Sequence, residues 1–206
     1  KGYCRSTPHS LSFAPWAEGI ERVASYQIPT EELQQFDVVI YLGGLSGRVP
    51  CDSNTLEVVH RENVEDIVST AKRMKPSQLL LFASTSAITE GSGDSAASED
   101  WEIQWGQLDR YSTSLAQRER ELRKLSTDWN SLAPQMIGFR FGTVLGKSNS
   151  QKTEYVYLSL VCSALLTGRM TVSNENAFRA FLYLPDLVRA FHKVITAPPV
   201  QLNSLQ

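Results

Sequence analysis

Gln78-Leu79-Leu80-Leu81-Phe82-Ala83-Ser84-Thr85-Ser86 contains the densest apolar run of this 206-residue chain and ends in three consecutive hydroxyls. The run is far shorter than the ~18–20 residues of a membrane span, and its length fits a strand buried on both faces. Strands of that kind lie in parallel sheets covered by helices. A buried strand that stops at hydroxyl side chains marks its C-terminal end as a place to look for a site.

Upstream, Phe36-Asp37-Val38-Val39-Ile40-Tyr41-Leu42 is a second β-branched apolar run, stopped by the tight loop Gly43-Gly44. Between the two runs, Leu56, Val59, Val64, Ile67, Val68 and Ala71 recur at a spacing of 3–4, which predicts an amphipathic helix over 54–74 closed by Pro76. Downstream, the polar, acidic stretch 89–101 reads as a surface loop. A helix is expected over 108–127, with Arg118, Glu119, Arg120, Glu121, Arg123 and Lys124 on a mostly solvated face. A third strand is expected over 135–141, followed by a loop at Gly142 and Gly146. Two further helices are expected: 155–166, with Gly168 as its stop, and 186–195, introduced by Pro185 and with Asp186 as its cap.

Strands alternating with helices give an α/β class, a doubly wound parallel sheet. Right-handed crossovers bring Gly43-Gly44, Ser84-Thr85-Ser86 and Gly142-Thr143 to one edge, the edge at which open α/β sheets bind ligands. The length fits one domain, 1–206, with 148–180 forming a reduced substrate-side lobe.

Composition narrows the classes. Hydrophobic residues make up 42% and charged residues 20%, which excludes disordered and fibrous chains. Lys+Arg number 20 against 22 Asp+Glu, and no basic run exceeds two residues, so the electrostatic footprint of a nucleic-acid binder is missing. Cys4, Cys51 and Cys162 are as scattered as His9, His60 and His192, so no metal site is expected. Free thiols suit a soluble protein of a reducing compartment: cytosol, mitochondrial matrix or plastid stroma. Lys1-Gly2-Tyr3-Cys4-Arg5-Ser6-Thr7 lacks the layout of a signal peptide.

The order of pieces resembles the extended short-chain dehydrogenase/reductases, the NAD-dependent epimerase/dehydratase group. The resemblance rests on Asp37-Val38-Val39-Ile40-Tyr41-Leu42-Gly43-Gly44, on Asn63-Val64, and on Leu81-Phe82-Ala83-Ser84-Thr85-Ser86-Ala87-Ile88. It continues through Tyr111 with Glu119, Arg140-Phe141-Gly142-Thr143-Val144-Leu145-Gly146, and Arg179-Ala180-Phe181-Leu182-Tyr183-Leu184-Pro185-Asp186-Leu187. It implies a Rossmann-like fold and a cleft taking NADP or NAD, with Gly43, Gly44, Ser84 and Asn63 beside the cofactor. Tyr111 would be the acid/base and Thr85 the hydroxyl that binds the reacting oxygen. Arg5, after a segment resembling the family's second strand, would meet a ribose 2′-phosphate and favour NADP.

Two departures matter. The family places a Lys four residues after the Tyr, where both share one helix face; here that position is Leu115. A phenol without that help has a pKa near about 10 and is a poor base at neutral pH. Nor does a glycine-rich phosphate-binding turn open the chain, so the first strand, that loop and the first helix are expected upstream of residue 1. Three readings follow. The first is a catalytically impaired accessory or structural subunit of a larger assembly. The second is an active NADP-dependent oxidoreductase or epimerase seen as an incomplete chain. The third is a module reporting cofactor state to a partner through the acidic loop near Trp101.

Overall fold

The computed structural model describes residues 2–3, 20–21, 25–89, 98–148, 153, 155–172 and 179–197. Arg5, Cys4, His9 and most of the acidic loop lie outside these. The strands pair in parallel throughout: β1 (Gly2–Tyr3) with β2 (Ile20–Glu21), and β3 (Val38–Tyr41) with β4 (Leu79–Thr85), which in turn pairs with β5 (Gln135–Phe141). β6 (Thr143–Leu145) pairs with β7 (Phe181–Tyr183). The arrangement is α/β and Rossmann-like, and the run that decides the fold, β4, is the middle of its three-stranded sheet.

Period-two alternation along β4 divides the core. Leu80 and Phe82 face one layer, with Tyr41, with Ile67, Ala71 and Met74 of α4 (Asp66–Arg73) and its end, and with Leu122 and Leu125 of α5 (Arg110–Trp129). Leu79 and Leu81 face the opposite layer, with Val38, Ile137 and Phe139 and with Phe191 and Val194 of α7 (Leu184–Thr196). Phe139 and Phe191 stack at 4.6 Å. Each fully buried leucine contributes about 1.5–3 kcal/mol by leaving water. Gln78 closes the entry to β4: it is buried, accepts from Lys75 N at 2.7 Å and donates to Leu33 O at 3.0 Å.

Several elements differ from expectation. The segment 54–74 is interrupted: α3 (Leu56–His60), capped by Thr55, runs into a π-turn (Arg61–Glu65) before α4 begins. Among the described residues β3 is an edge strand of its sheet and Ile40 is 46% exposed, whereas its apolar run reads as buried. The strands β6 and β7 and the short helices α1 (Thr30–Leu33) and α2 (Arg48–Asp52) carry too little periodicity to be read from sequence. Helix α6 (Val156–Thr167) ends at Gly168, whose φ of 68° suits glycine. Asp186 does not cap α7. It lies in the first turn and pairs with Arg189 one turn on.

Arg118 and Glu119 correct the solvated face assigned to α5. Arg118 is 2% exposed, and Glu119 is turned inward onto Arg140. Among the seven buried positions of the helix, Leu115, Arg118, Leu122 and Leu125 form one stripe at spacings of three and four, and the arginine sits inside it.

Candidate functional site

The C-terminal ends of β3, β4 and β5 meet at a cleft of about 720 Å³. Its walls include the loop Gly43–Ser46, the hydroxyl run Ser84–Ser86, the bend at Gly142–Thr143 and, from α5, Tyr111, Leu115 and Arg118. Of the residues singled out by sequence, Tyr111, Thr85, Ser84, Gly43 and Gly44 are brought together here. Asn63 is not a lining residue: it is fully buried behind the glycine loop.

Asn63 shapes the cleft from behind. Its Oδ1 accepts from Leu45 N at 2.6 Å, and its Nδ2 donates to Ser114 Oγ at 2.8 Å and to Leu45 O at 3.3 Å. The loop lies so close to it that a Cβ built on Gly44 would stand 2.5 Å from Asn63 Oδ1 and 2.8 Å from an Arg118 nitrogen, and Gly44 has φ +122°. Only glycine accepts that conformation without strain at so near an approach.

Arg118 is the charged centre of the floor. Nε donates to Asn63 O at 2.6 Å, Nη1 to Ala83 O at 2.8 Å and Nη2 to Gly43 O at 3.0 Å. The guanidinium also stands 5.8 Å from the centre of the Tyr41 ring. A buried cation is costly unless such partners surround it. Burial lowers its affinity for the proton, yet arginine stays charged in proteins.

Burial pushes the Tyr111 phenol above its ordinary range, and the nearby Arg118 charge opposes the shift only in part. The phenol is therefore protonated at neutral pH. Thr85 Oγ1 accepts from Ala87 N at 3.2 Å and keeps its own hydrogen for a ligand or water. Ser84 donates to Glu119, whose carboxylate takes a two-pronged ion pair from Arg140, with Nη2 at 2.7 Å. That link joins the cleft to a smaller cavity lined by Trp101, Trp105, Arg120 and Arg123, where Arg120 lies 5.3 Å over the Trp105 ring. Leu115 is 4% exposed and offers the cleft no donor or acceptor.

Sequence reasoning placed Arg118 and Glu119 on a mostly solvated face and did not single out Ser114. The available signal was the inward stripe of α5, in which Arg118 holds a position otherwise given to leucine. Among the described residues no group of three or more His, Cys, Asp or Glu could hold a metal ion, and no helix is long and apolar enough to cross a membrane.

Comparison with known proteins agrees with this fold. No curated protein matches the chain. Solved structures of similar fold include MoeE5 in complex with UDP-glucose and NAD, at 21% identity and TM-score 0.69, covering 87% of this chain and 59% of that one. The UDP-glucuronic acid 4-epimerase from Bacillus cereus in complex with NAD aligns with TM-score 0.72 at 18% identity, covering 94% of this chain and 63% of its own. TunA, an NAD dependent NDP-hexosamine 5,6-dehydratase involved in tunicamycin biosynthesis, aligns with TM-score 0.69 at 16% identity over 90% of this chain and 60% of that one. The chain thus spans less than two thirds of the length of these structures. The NAD dependent epimerase/dehydratase family profile matches residues 24–203. With six ordered sequence motifs, a parallel Rossmann-like sheet and that match over most of its length, the chain belongs to the NAD dependent epimerase/dehydratase family.

Proposed function

We propose that this chain binds a nicotinamide dinucleotide, NADP or NAD, at the strand-end cleft but is impaired in tyrosine-centred proton transfer, and that it serves as an accessory or structural subunit of a larger assembly. The observation that carries this reading is Leu115: the side chain expected to be an ammonium is an apolar, buried part of the cleft wall. The neighbouring phenol keeps its proton because burial opposes its ionisation.

The residues present fit the nicotinamide-ribose end of such a ligand. The glycine loop at Gly43 and Gly44 permits close backbone approach, and Ser84, Thr85 and Tyr111 offer hydroxyls. The family resemblance and the NAD complexes among its structural neighbours support the ligand class. A bound nicotinamide would supply hydride transfer. This chain's residues bind and orient: Tyr111 donates a hydrogen bond as a neutral phenol, and Thr85 donates a second. Without an adjacent ammonium, Tyr111 does not become the phenolate that a general base requires at neutral pH.

The test is a titration of NADPH and NADH followed by tryptophan fluorescence, paired with turnover assays on the full natural chain using UDP-glucose and UDP-glucuronic acid. Binding without turnover that depends on Tyr111 is expected. Turnover abolished by Tyr111→Phe would overturn this reading in favour of an active oxidoreductase or epimerase.

A further inference from the structure

Charge inside the cleft follows an unusual route. In an α-helix each Cα–Cβ bond tilts toward the N-terminus, so a long side chain at position 118 reaches back toward the level of Leu115 and Tyr111. Arg118 does so, and its guanidinium meets backbone oxygens from three separate segments: Gly43 after β3, Ala83 in β4 and Asn63 in the π-turn. All three are acceptors that a cation can use and a leucine cannot. They bind one charged group, and Gly44 is bare of a Cβ where that group passes. Arg179 also lines the cleft and no Asp or Glu does, so a further positive charge on the α5 wall would meet no lining carboxylate.

We propose that Arg118 fills the one cation position on the α5 wall of this cleft, acting as a positioning residue that clamps its three backbone walls from two turns beyond Tyr111, so that position 115 is apolar because its charge has moved along the helix. This rests on the reading above, in which the cleft binds ligand while Tyr111 keeps its proton. It goes further by assigning the missing cation to a named side chain. Positions 115 and 118 are neighbours on one helix face, about 5–6 Å apart at Cβ. Two cations there would compete for one set of carbonyl oxygens. Five N–H groups are available on the guanidinium, and three of them hold the backbone.

The test is a double-mutant cycle on folding stability, with Leu115→Lys, Arg118→Leu and the two combined, and Leu115→Met as the control for shape. Leu115→Lys should be far more damaging than Leu115→Met with Arg118 present. Its cost in the folding equilibrium constant should fall by at least about tenfold once Arg118 is leucine. Leu115→Met should show no such dependence, which separates a contest between charges from a merely structural disturbance. Equal costs of Leu115→Lys in the two backgrounds overturn the proposal. If Arg118→Leu alone does not fold, the combined variant decides: a folded chain supports the shared cation position, and an unfolded one overturns it. Additive energies would leave the binding and turnover results untouched. Tyr111-dependent turnover in the unaltered chain would overturn the functional reading while leaving the coupling intact.

Discussion

Arg118 donates its Nε hydrogen across 2.6 Å to the backbone oxygen of Asn63, a residue 55 positions earlier. The π-turn at Arg61–Glu65 carries Asn63 and turns both its side chain and this oxygen toward the strand ends. Such irregular turns within helices recur at functional sites. Here the turn joins the helix before β4, the helix after it and the glycine loop into one support beneath the cleft.

Asn63→Ala should therefore destabilise the chain strongly. The substitution leaves Leu45 N–H without its acceptor and removes one donor each from Leu45 O and the Ser114 hydroxyl, which keep only the Cys51 thiol at 3.9 Å and Tyr111 O at 2.7 Å. A loss of roughly 2–4 kcal/mol is expected from unmade buried hydrogen bonds. Urea denaturation checks it, with the midpoint falling and the slope unchanged.

Gly44→Ala tests the close approach. A side chain at φ +122° costs about 1–3 kcal/mol, and the added carbon also collides with Asn63 Oδ1 and Arg118. Dinucleotide binding, followed by tryptophan fluorescence, should be lost under conditions in which circular dichroism still reports a folded chain. Unaltered affinity would show that the loop does not contact ligand.

The Glu119–Arg140 pair separates charge burial from packing. Both side chains are largely buried, at 13% and 21% exposure. Glu119→Ala removes the two-pronged partner of Arg140, leaving it the Glu99 backbone oxygen at 3.0 Å, and should cost about 1.5–3 kcal/mol. The double change Glu119→Ala with Arg140→Met should recover a large part of that loss, because the uncompensated charge is gone. Thermal melts of the three variants give the comparison.

Stability should also fall at alkaline pH, in a definite sequence. Burial raises both the Cys51 thiol and the Tyr111 phenol, so the folded chain holds these protons more tightly than the unfolded one. Their contribution is complete below the unfolded values, about 8.5 for a thiol and about 10 for a phenol, and is lost as pH rises through the higher folded values. Melting temperature should hold near neutrality and then decline. In Cys51→Ala the thiol component disappears, and the decline should begin at higher pH. An identical alkaline limb in the two proteins would contradict the assignment to Cys51.

Much of the fold was legible because it depends on local patterns. The β5 expectation of 135–141 coincides with Gln135–Phe141, and the edge that collects Gly43, Ser84, Thr85 and Gly142 follows from handed crossovers. The edge exposure of Ile40 and the pairing of β6 with β7 were not legible, since they depend on which distant segments lie alongside. A Cβ on Gly142 would stand 2.5 Å from Ala180 O, a neighbour 38 residues away that no local pattern announces.

By itself the sequence determined the α/β alternation, the strand ends that form the cleft, the family motifs and the absence of lysine at position 115. These follow from periodicity, turn chemistry and residue identity, all of which are local. Only the tertiary structure decided that Asn63 supports the loop from behind, that Glu119 reaches Ser84 and Arg140, and that Arg118 is a buried cation rather than one of many surface charges on α5. An arginine in a charged helix looks the same in sequence whether it meets water or carbonyl oxygens. The difference lies in acceptors supplied by residues 35 to 75 positions away, which come together only when the chain has folded.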